Sequence, residues 1–366
     1  MDYHIRIKAG RLSITTDCEQ LPLTQLLDFA SRQNPRRGYL FVSKVLGKHI
    51  PCRPSAMREV YDRLAGQLNS MPGPVLVIGM AETATALGGG IADSLARLDN
   101  RNDVIYLHTT RHPLARSLWC RFDENHSHAP DHLLYPPPQT DAIRTLILVD
   151  DEISTGRTLQ QLAAGVAGQL PALERIVMVS IVNWLDADQQ AELNRDLTPA
   201  AEFVSLLSGR FDFTPDPDYR PMLPEGTEAR QRGATARADS GRAGLNMPFK
   251  IGQLPTGPLP DGPLVVVGIG EYSFIPFLIA ERLEQNGHDV LFQSTTRSPI
   301  AEGDAISSKL CFNDEYDQGI SNYIYNLPAD RQVIAVYESA DLAARHQFPT
   351  QVGASVWIAN PDEVTA

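Results

Sequence analysis

The sequence has few cysteines, no long hydrophobic run and no pattern of a secretion signal. Its four cysteines form no Cys-x-x-Cys pair, which argues against a disulfide framework or a zinc site and favours reduced thiols. No apolar run reaches the ~18 residues of a membrane-spanning helix, and Met1–Gly10 does not resemble a signal peptide. These absences predict a cytoplasmic protein without a membrane partner.

Basic residues are fewer than acidic residues in the whole chain, but not in every region of it. The 366 residues include 32 Lys and Arg against 44 Asp and Glu, a formal net charge of −12 that argues against nucleic acid as a general partner. Residues 1–70 nevertheless carry 11 basic against 6 acidic residues, whereas residues 246–366 carry 6 against 15. The basic region is either a local anion site or a solvated surface.

The apolar pattern predicts an α/β protein. Continuous apolar runs are typical of buried parallel strands, and helix-compatible stretches follow two of them. Strand–helix–strand alternation implies a parallel-rich sheet flanked by helices. The predicted strands lie at 74–79, 103–108, 145–149 and 175–182, the predicted helices at 83–98 and 158–170, and a new alternating unit starts at 264–268.

An internal repeat divides the chain. Asp103–Ala115 resembles Asp289–Ala301, and Val77–Glu82 resembles Val266–Glu271 in the same order. Residues 221–245 lie between the two copies, are rich in Gly and Arg and have little apolar pattern, which indicates a linker or an exposed loop. We therefore predict a first domain over 1–222, a linker over 223–245 and a related second domain over 246–366.

One segment carries the chemistry. In Leu146–Thr158 an apolar strand ends in two carboxylates, and a turn of small residues then opens a helix. Such a turn directs backbone N–H groups to one point beside the positive end of the helix dipole, which suits a phosphate. The adjacent carboxylates suit vicinal hydroxyls of a sugar, with or without a divalent cation. The segment is neither a Walker A loop nor a GxGxxG motif.

This segment resembles the thirteen-residue signature of type I phosphoribosyltransferases, which bind 5-phosphoribosyl 1-diphosphate. The whole chain is similar to the two-domain phosphoribosyltransferases of tellurium-resistance operons, in which a domain with a Thr-Arg-Ser-Pro motif follows. Thr296–Pro299 is that motif here, and Phe41–Pro51 resembles the N-terminal signature of the family. The resemblance implies a type I phosphoribosyltransferase fold with an N-terminal hood over about 1–70, and a degenerate second copy.

The resemblance also implies roles for individual residues. Asp150 and Asp151 would hold the ribose hydroxyls and, directly or indirectly, Mg²⁺, and together with Arg111 and Arg116 they are the candidate catalytic residues. The phosphate and ribose site would comprise Asp150, Asp151, Glu152, Ser154, Thr155, Gly156, Arg157 and Thr158. The diphosphate loop would comprise Gly79, Met80, Ala81, Glu82, Thr83 and Ala84. The acceptor side in the hood would include Arg36, Arg37, Lys44 and Lys48.

Two parts of this assignment stay open at the level of sequence. Lys44 and Lys48 would share one side of a helix, but their apolar surroundings equally fit a strand pair. Residues 115–138 match a flexible loop that closes over substrate. Its His126, His128 and His132 could serve a metal, loop closure or proton transfer, or could be exposed without function.

Departures from the family pattern restrict the function. Ser154 stands where enzymes for 6-oxopurines usually carry Asp, so the pattern favours an orotate-type acceptor. In the second copy Tyr337 and Glu338 fall opposite the acidic pair, so that copy lacks the site. The expected activity is transfer of a phosphoribosyl group to a base-like acceptor by a homodimer. The alternatives are a non-catalytic sensor of nucleotide or phosphoribosyl diphosphate, and a docking component for partner biosynthetic enzymes.

Overall fold

The computed structural model describes residues 1–32, 37–68, 70–123, 131–220, 240–255 and 257–360. The strands are β1 Asp2–Ile7, β2 Gly10–Glu19, β3 Leu27–Ser31, β4 Tyr39–Ser43, β5 Val75–Gly79, β6 Val104–His108, β7 Cys120–Asp123, β8 Asp131–Leu134, β9 Thr145–Val149, β10 Glu152–Ile153, β11 Arg175–Asn183, β12 Ala201–Pro215, β13 Leu245–Met247, β14 Leu264–Gly268, β15 Val290–Ser294, β16 Lys309–Asn313, β17 Ser321–Tyr325, β18 Gln332–Tyr337 and β19 Ser355–Ile358. The helices are α1 Leu23–Leu26, α2 Pro54–Gly66, α3 Thr85–Leu98, α4 Arg157–Ala167, α5 Ala187–Leu193, α6 Phe274–Gln285, α7 Ala340–Arg345 and α8 Phe348–Val352.

The chain forms two compact units, each built from separate stretches of sequence. We call the unit of residues 58–206, 233–254 and 360–366 the central unit. The unit of residues 1–57, 207–232 and 255–359 is the terminal unit. Residues 1–57, most of the predicted hood, thus share a unit with the C-terminal repeat. The domain limits at 222 and 245 stay a prediction.

The core of the central unit is a parallel sheet in the order β6-β5-β9-β11, with β13 antiparallel beside β6. Every residue of β5 and β9 is buried, as expected for strands covered on both faces. Three adjacent glycines let α3 approach its neighbours closely: a Cβ on Gly88 would lie 2.8 Å from the Gly79 Cα. The helix thereby holds the turn that follows β5.

The terminal unit repeats this arrangement. Its sheet has the order β15-β14-β18-β19, again all parallel, and α6 packs on β14 and β15 as α3 packs on β5 and β6. An antiparallel hairpin follows the second strand in both units, β7–β8 in one and β16–β17 in the other. The duplication and the α/β class expected from the sequence are confirmed.

The hood segment completes the core of the terminal unit. Side chains of β3 and β4 pack into one buried cluster with residues of the C-terminal repeat: Ala30, Leu40, Val42, Ile300, Ile306, Tyr323 and Tyr325. Cys52 pairs with Phe292 through two backbone hydrogen bonds of 3.1 and 2.8 Å. Burial raises the pKa of the Cys52 thiol to about 12, so it is an inert core residue.

The stretch expected to be a linker is not uniform. Residues 221–239 lie outside the described part of the chain. The next residues, 240–243, are buried in the central unit, and β13 follows at once. The scarcity of apolar residues suggested exposure here, but the backbone of this segment joins a sheet edge and needs little apolar side chain to do so. Within the described ranges, none of the helices has both the length and the apolar character required to cross a membrane.

Candidate functional site

The acidic turn lies at the carboxyl end of β9. Asp150 and Asp151 are half-buried, and the Asp151 N–H donates to the Asp150 Oδ1 at 3.0 Å. The turn is tied to β11, because Glu152 pairs with Val182 in a short parallel bridge. The carboxylates therefore stand on a fixed backbone at the sheet edge where ligands of parallel α/β sheets bind.

The turn then opens α4 without a side-chain cap. Gly156 occupies the cap position at φ 67°, and a Cβ there would lie 2.4 Å from the Leu193 Cδ1. Glycine has no side chain, and no side-chain cap hydrogen bond forms at the start of this eleven-residue helix. Its N–H groups are thus available to an anion, with Ser154 and Thr158 half-buried and Thr155 and Arg157 exposed beside them. The predicted phosphate cradle has this form.

The loop after β5 lies directly beside the acidic turn. Gly79 faces Val149 in the neighbouring strand, and the Met80 N–H donates to the Val149 carbonyl at 2.9 Å. A cis peptide bond joins Ala81 to Glu82. A Cβ on Gly79 would lie 2.6 Å from the Ala84 carbonyl oxygen, so only glycine fits this tight turn. The predicted diphosphate loop and sugar site therefore occupy adjacent strand ends; Thr83 and Glu82 are both half-buried there.

The end of β6 supports that loop. The Ala81 N–H donates to the Thr109 Oγ1 at 2.8 Å, and the Thr109 N–H donates to the Gly79 carbonyl at 3.0 Å. Arg111, two residues further, is half-buried, which suits a cation facing this edge, whereas Arg116 is exposed. Three neighbouring strand ends thus bring most of the predicted site residues to one edge of the central sheet.

The predicted flexible loop is ordered at both of its ends. Strands β7 and β8 form an antiparallel hairpin, and the Leu114 N–H donates to the Tyr135 hydroxyl at 2.8 Å. His132 is buried, lies 3.0 Å from the Thr109 Oγ1 through Nδ1, and stacks on Phe122. His132 is therefore buried and not exposed, because the hairpin turns it inward. His126 and His128 lie outside the described residues.

The hood cations have structural surroundings of their own. Lys44 Nζ donates to the Thr24 carbonyl at 2.8 Å, and the Arg37 guanidinium lies 5.1 Å over the Tyr39 ring. Lys48 is 2% exposed, and its Nζ lies 3.5 Å from the Gly270 carbonyl of the C-terminal repeat. The helix expected to place Lys44 and Lys48 on one side does not form, because β4 ends at Ser43 and bends follow. Arg36 lies outside the described residues.

One cation at this edge was not predictable from the sequence. Arg242 is buried, and its Nε donates to the Thr110 Oγ1 at 3.3 Å. It is 132 residues away in sequence and lies within the predicted linker over 223–245, so no spacing rule connects it with the site. A buried arginine is rare enough to count as a signal once the fold is known.

A parallel sheet whose strand ends join an acidic pair, a tight glycine loop and an uncapped helix start defines the class of type I phosphoribosyltransferases. The chain belongs to the family described as "Phosphoribosyl transferase", which matches residues 26–210. The family described as "TRSP domain C terminus to PRTase_2" matches residues 249–350. The protein is thus a phosphoribosyltransferase with a C-terminal TRSP domain. A comparison with curated protein sequences gives no match.

The solved structures to which this chain is similar include three adenine phosphoribosyltransferases. The enzyme of Trypanosoma brucei is 14% identical over 51% of this chain and 78% of its own, with a TM-score of 0.38. The enzyme of Giardia lamblia is 16% identical over 52% and 97%, with a TM-score of 0.37. That of Leishmania tarentolae is 16% identical over 51% and 85%, with a TM-score of 0.36.

Proposed function

We propose that the central unit transfers the phosphoribosyl group of 5-phosphoribosyl 1-diphosphate to a ring nitrogen of a base-like acceptor and releases diphosphate. The observation that carries this proposal is the acidic pair Asp150–Asp151 placed directly before an uncapped helix start. A sugar hydroxyl needs acceptors, and a phosphate needs N–H donors. Both are provided here within one turn, as a ribose 5-phosphate requires.

The 5′-phosphate would bind the turn from Ser154 to Thr158, where the helix dipole and the hydroxyl groups both favour an anion. The diphosphate would bind the loop from Gly79 to Ala84, with Arg111 as the nearby cation. Arg116 is exposed near the start of the hairpin, so its contribution would come when the hairpin covers the substrate.

The reaction forms a bond between the acceptor nitrogen and C1 of the ribose, and it breaks the bond between C1 and the diphosphate oxygen. The electron pair of the broken bond leaves with diphosphate. A transition state of this type is oxocarbenium-like, so the protein contributes mainly position, electrostatic stabilisation and exclusion of water. Asp150 and Asp151 would fix the ribose while their negative charge stabilises the positive ring.

The residues of this site also fit a magnesium ion. No group of three or more acidic, His or Cys ligands that could hold a metal occurs among the described residues. Mg²⁺ in phosphate sites commonly takes one or two carboxylates and completes its coordination with substrate oxygens and water. Asp150 and Asp151 suit that role, directly or through water. When bound, the ion would neutralise the charge of the leaving diphosphate.

The side chain at position 154 supports an orotate-type acceptor over a 6-oxopurine. Ser154 is half-buried at the turn where purine enzymes of the family usually carry an Asp. Without that carboxylate the site lacks an acceptor for the purine ring N–H. An orotate-type pyrimidine does not require that acceptor.

Diphosphate release tests the activity. The full chain is incubated with 5-phosphoribosyl 1-diphosphate, Mg²⁺ and one acceptor at a time from orotate, uracil, adenine and hypoxanthine. Acceptor-dependent release, greatest with orotate, is expected. Release greatest with hypoxanthine would overturn the assignment of the acceptor. Tight binding without release for any acceptor would favour a sensor instead.

Further expectations follow from the resemblance alone. We infer a cytoplasmic homodimer that acts beside partner biosynthetic enzymes in a nucleoside-like pathway of a tellurium-resistance operon. Sedimentation of the purified chain checks the dimer. Co-purification with proteins encoded in the same operon checks the partners.

A further inference from the structure

The edge of the central sheet beside β6 is formed by residues 241–247. β13 runs antiparallel to β6, with Leu245 opposite Tyr106 and Met247 opposite Val104. Just before β13, the Gly241 carbonyl accepts the His108 N–H at 3.1 Å. The segment therefore follows β6 to its carboxyl end, where the candidate site lies.

Arg242 follows that glycine and points into the protein. It is 2% exposed, and its Nε donates to the Thr110 Oγ1, which also accepts the His112 N–H at 3.0 Å. The neighbouring Thr109 holds the Ala81 N–H of the diphosphate loop. Two consecutive threonines thus bind the loop on one side and a permanent positive charge on the other. A guanidinium stays protonated even when buried, so its burial is costly unless it faces compensating groups.

The terminal unit also has a buried cation directly after a glycine whose carbonyl accepts an N–H at the end of the second strand. There the Gly47 carbonyl accepts the Ser294 N–H at 2.7 Å, and Ser294 corresponds to His108 in the repeat. The next residue is again a buried cation, Lys48, also 2% exposed. Gly47 and Gly241 both have positive φ, 61° and 97°, which turns the chain so that the following side chain points inward.

The position of Lys48 shows which loop such a buried cation faces. Its Nζ lies 3.5 Å from the Gly270 carbonyl, and the Gly270 N–H donates to the Thr295 Oγ1 at 2.8 Å. Gly270 is therefore the counterpart of Ala81, since Ala81 makes the same bond to Thr109. A cation after the edge glycine reaches the loop after the first strand in the terminal unit. The corresponding cation of the central unit is Arg242, which bonds to Thr110, next to the Thr109 that holds the diphosphate loop.

From these contacts we propose that Arg242 is a positioning residue for the diphosphate group. Its guanidinium fixes the Thr109–His112 turn that carries Arg111 and adds a fixed positive charge beside the loop from Gly79 to Ala84. The residue comes from a segment outside both family matches, which end at 210 and begin at 249. This inference rests on the proposed phosphoribosyl transfer.

Three probes separate the diphosphate side from the phosphate cradle. Calorimetric titration of the full chain measures binding of 5-phosphoribosyl 1-diphosphate, inorganic diphosphate and ribose 5-phosphate, each with Mg²⁺. In Arg242→Ala we expect the first two to bind at least tenfold more weakly, and ribose 5-phosphate to change less than twofold. Arg242→Lys should recover part of the loss, because it restores charge without the guanidinium geometry. The loss of affinity for the two diphosphate ligands in Thr110→Val should lie between the losses in Arg242→Ala and Arg242→Lys.

Arg144→Ala is the matched control, because Arg144 forms an exposed ion pair with Glu174 in the same unit. Unchanged binding of both diphosphate ligands in Arg242→Ala would overturn the inference. Equal loss of all three ligands with a lowered melting temperature would assign Arg242 a purely structural role and would also overturn it. If Arg242→Ala does not fold, Arg242→Lys decides, with a threefold or greater loss of diphosphate expected. Failure of the wild-type chain to bind 5-phosphoribosyl 1-diphosphate would instead refute the proposed function.

Discussion

At the carboxyl edges of the two repeated sheets, the same hydrogen bonds hold the backbone frame, but the side chains around it differ. In each unit a Thr hydroxyl accepts the N–H of the first loop, Thr109 in one and Thr295 in the other. In the central unit the third strand then leads to half-buried Asp150 and Asp151 and an uncapped helix. The frame is thus common to both copies, whereas the residues that follow the third strand differ.

The edge of the terminal unit is filled by its own side chains. Glu338 is buried and its Oε1 accepts the Tyr316 hydroxyl at 2.5 Å. A Cβ on Gly270 would lie 2.7 Å from the Glu315 Oε1, and Glu315 in turn accepts the Asn322 Nδ2 at 3.1 Å. Ser339 caps α7, in contrast to the uncapped α4. At this edge of the terminal unit the carboxylates of Glu338 and Glu315 thus accept hydrogen bonds from neighbouring side chains, and the following helix start is capped.

The largest expected effect comes from cutting the chain at residue 222. Such a fragment lacks Arg242 and β13 of the central unit, and it lacks the partners of Ala30, Leu40 and Val42 in the terminal unit. We expect no binding of 5-phosphoribosyl 1-diphosphate and loss of the cooperative melting transition, measured by calorimetry. A chain ending at residue 360 is the control. Full activity of the short fragment would show that the two copies are independent.

Removing the charge of the acidic pair should have the next largest effect. Replacing Asp150 and Asp151 by Asn weakens two charge-assisted contacts to hydroxyls, worth about 1.5–3 kcal/mol each, so turnover should fall by about 100-fold or more. Steady-state release of diphosphate measures it. Glu338→Gln is the matched change in the other copy and should leave the affinity for 5-phosphoribosyl 1-diphosphate unchanged. Equal losses would mean that both edges take part in the reaction.

A smaller effect is expected from Gly156→Ala. The residue has φ 67°, which costs an L-residue about 1–2 kcal/mol, and its Cβ would meet Leu193. We expect binding of ribose 5-phosphate to weaken about tenfold and the melting temperature to fall. Gly168→Ala at the other end of α4 has φ −65° and open space around its Cβ, so it should not weaken binding. An unaffected Gly156→Ala protein would refute the cradle.

The smallest expected effect is on the acid stability of the terminal unit. His346 accepts the Tyr337 hydroxyl at Nδ1 and donates to the Asn313 carbonyl from Nε2, and burial lowers its pKa to about 4. The unfolded chain binds the proton first, so stability is full above about pH 6.5 and declines down to about pH 4. Over this range the melting temperature of the wild type should fall with decreasing pH, and that of His346→Gln should fall less steeply. His4→Gln, an exposed position, should keep the wild-type slope.

Local pattern predicted the strands and the chemical turn closely. The runs at 145–149 and 175–182 became β9 and β11, because a strand buried on both faces needs an unbroken apolar run. The repeat was predictable because two copies of one pattern stand in one chain. The turn from Asp150 to Gly156 was predictable because carboxylates, small residues and a helix start follow one another directly in the sequence.

Long-range pairing was not predictable. Nothing in the pattern of Leu40 or Val42 indicates whether it packs on residues near 145 or near 300, since any apolar surface offers the same gain. The edge segments of Gly47 and Gly241 bond mainly through backbone atoms, which every residue carries. The burial of Lys48 and Arg242 is therefore evident only from the tertiary contacts.

The way the terminal unit is assembled has a consequence for synthesis on the ribosome. Cys52 pairs with Phe292, so the hood can complete its packing only after partners 240 residues further along the chain have been synthesised. At about 5–20 residues per second, this delay is roughly 12–50 s. During that time β3 and β4 lack the partners that the C-terminal repeat supplies, whereas β5, β6 and β9 lie near one another in the sequence. The first residues to emerge are therefore among the last to fold, and the nascent hood is the natural target for a chaperone.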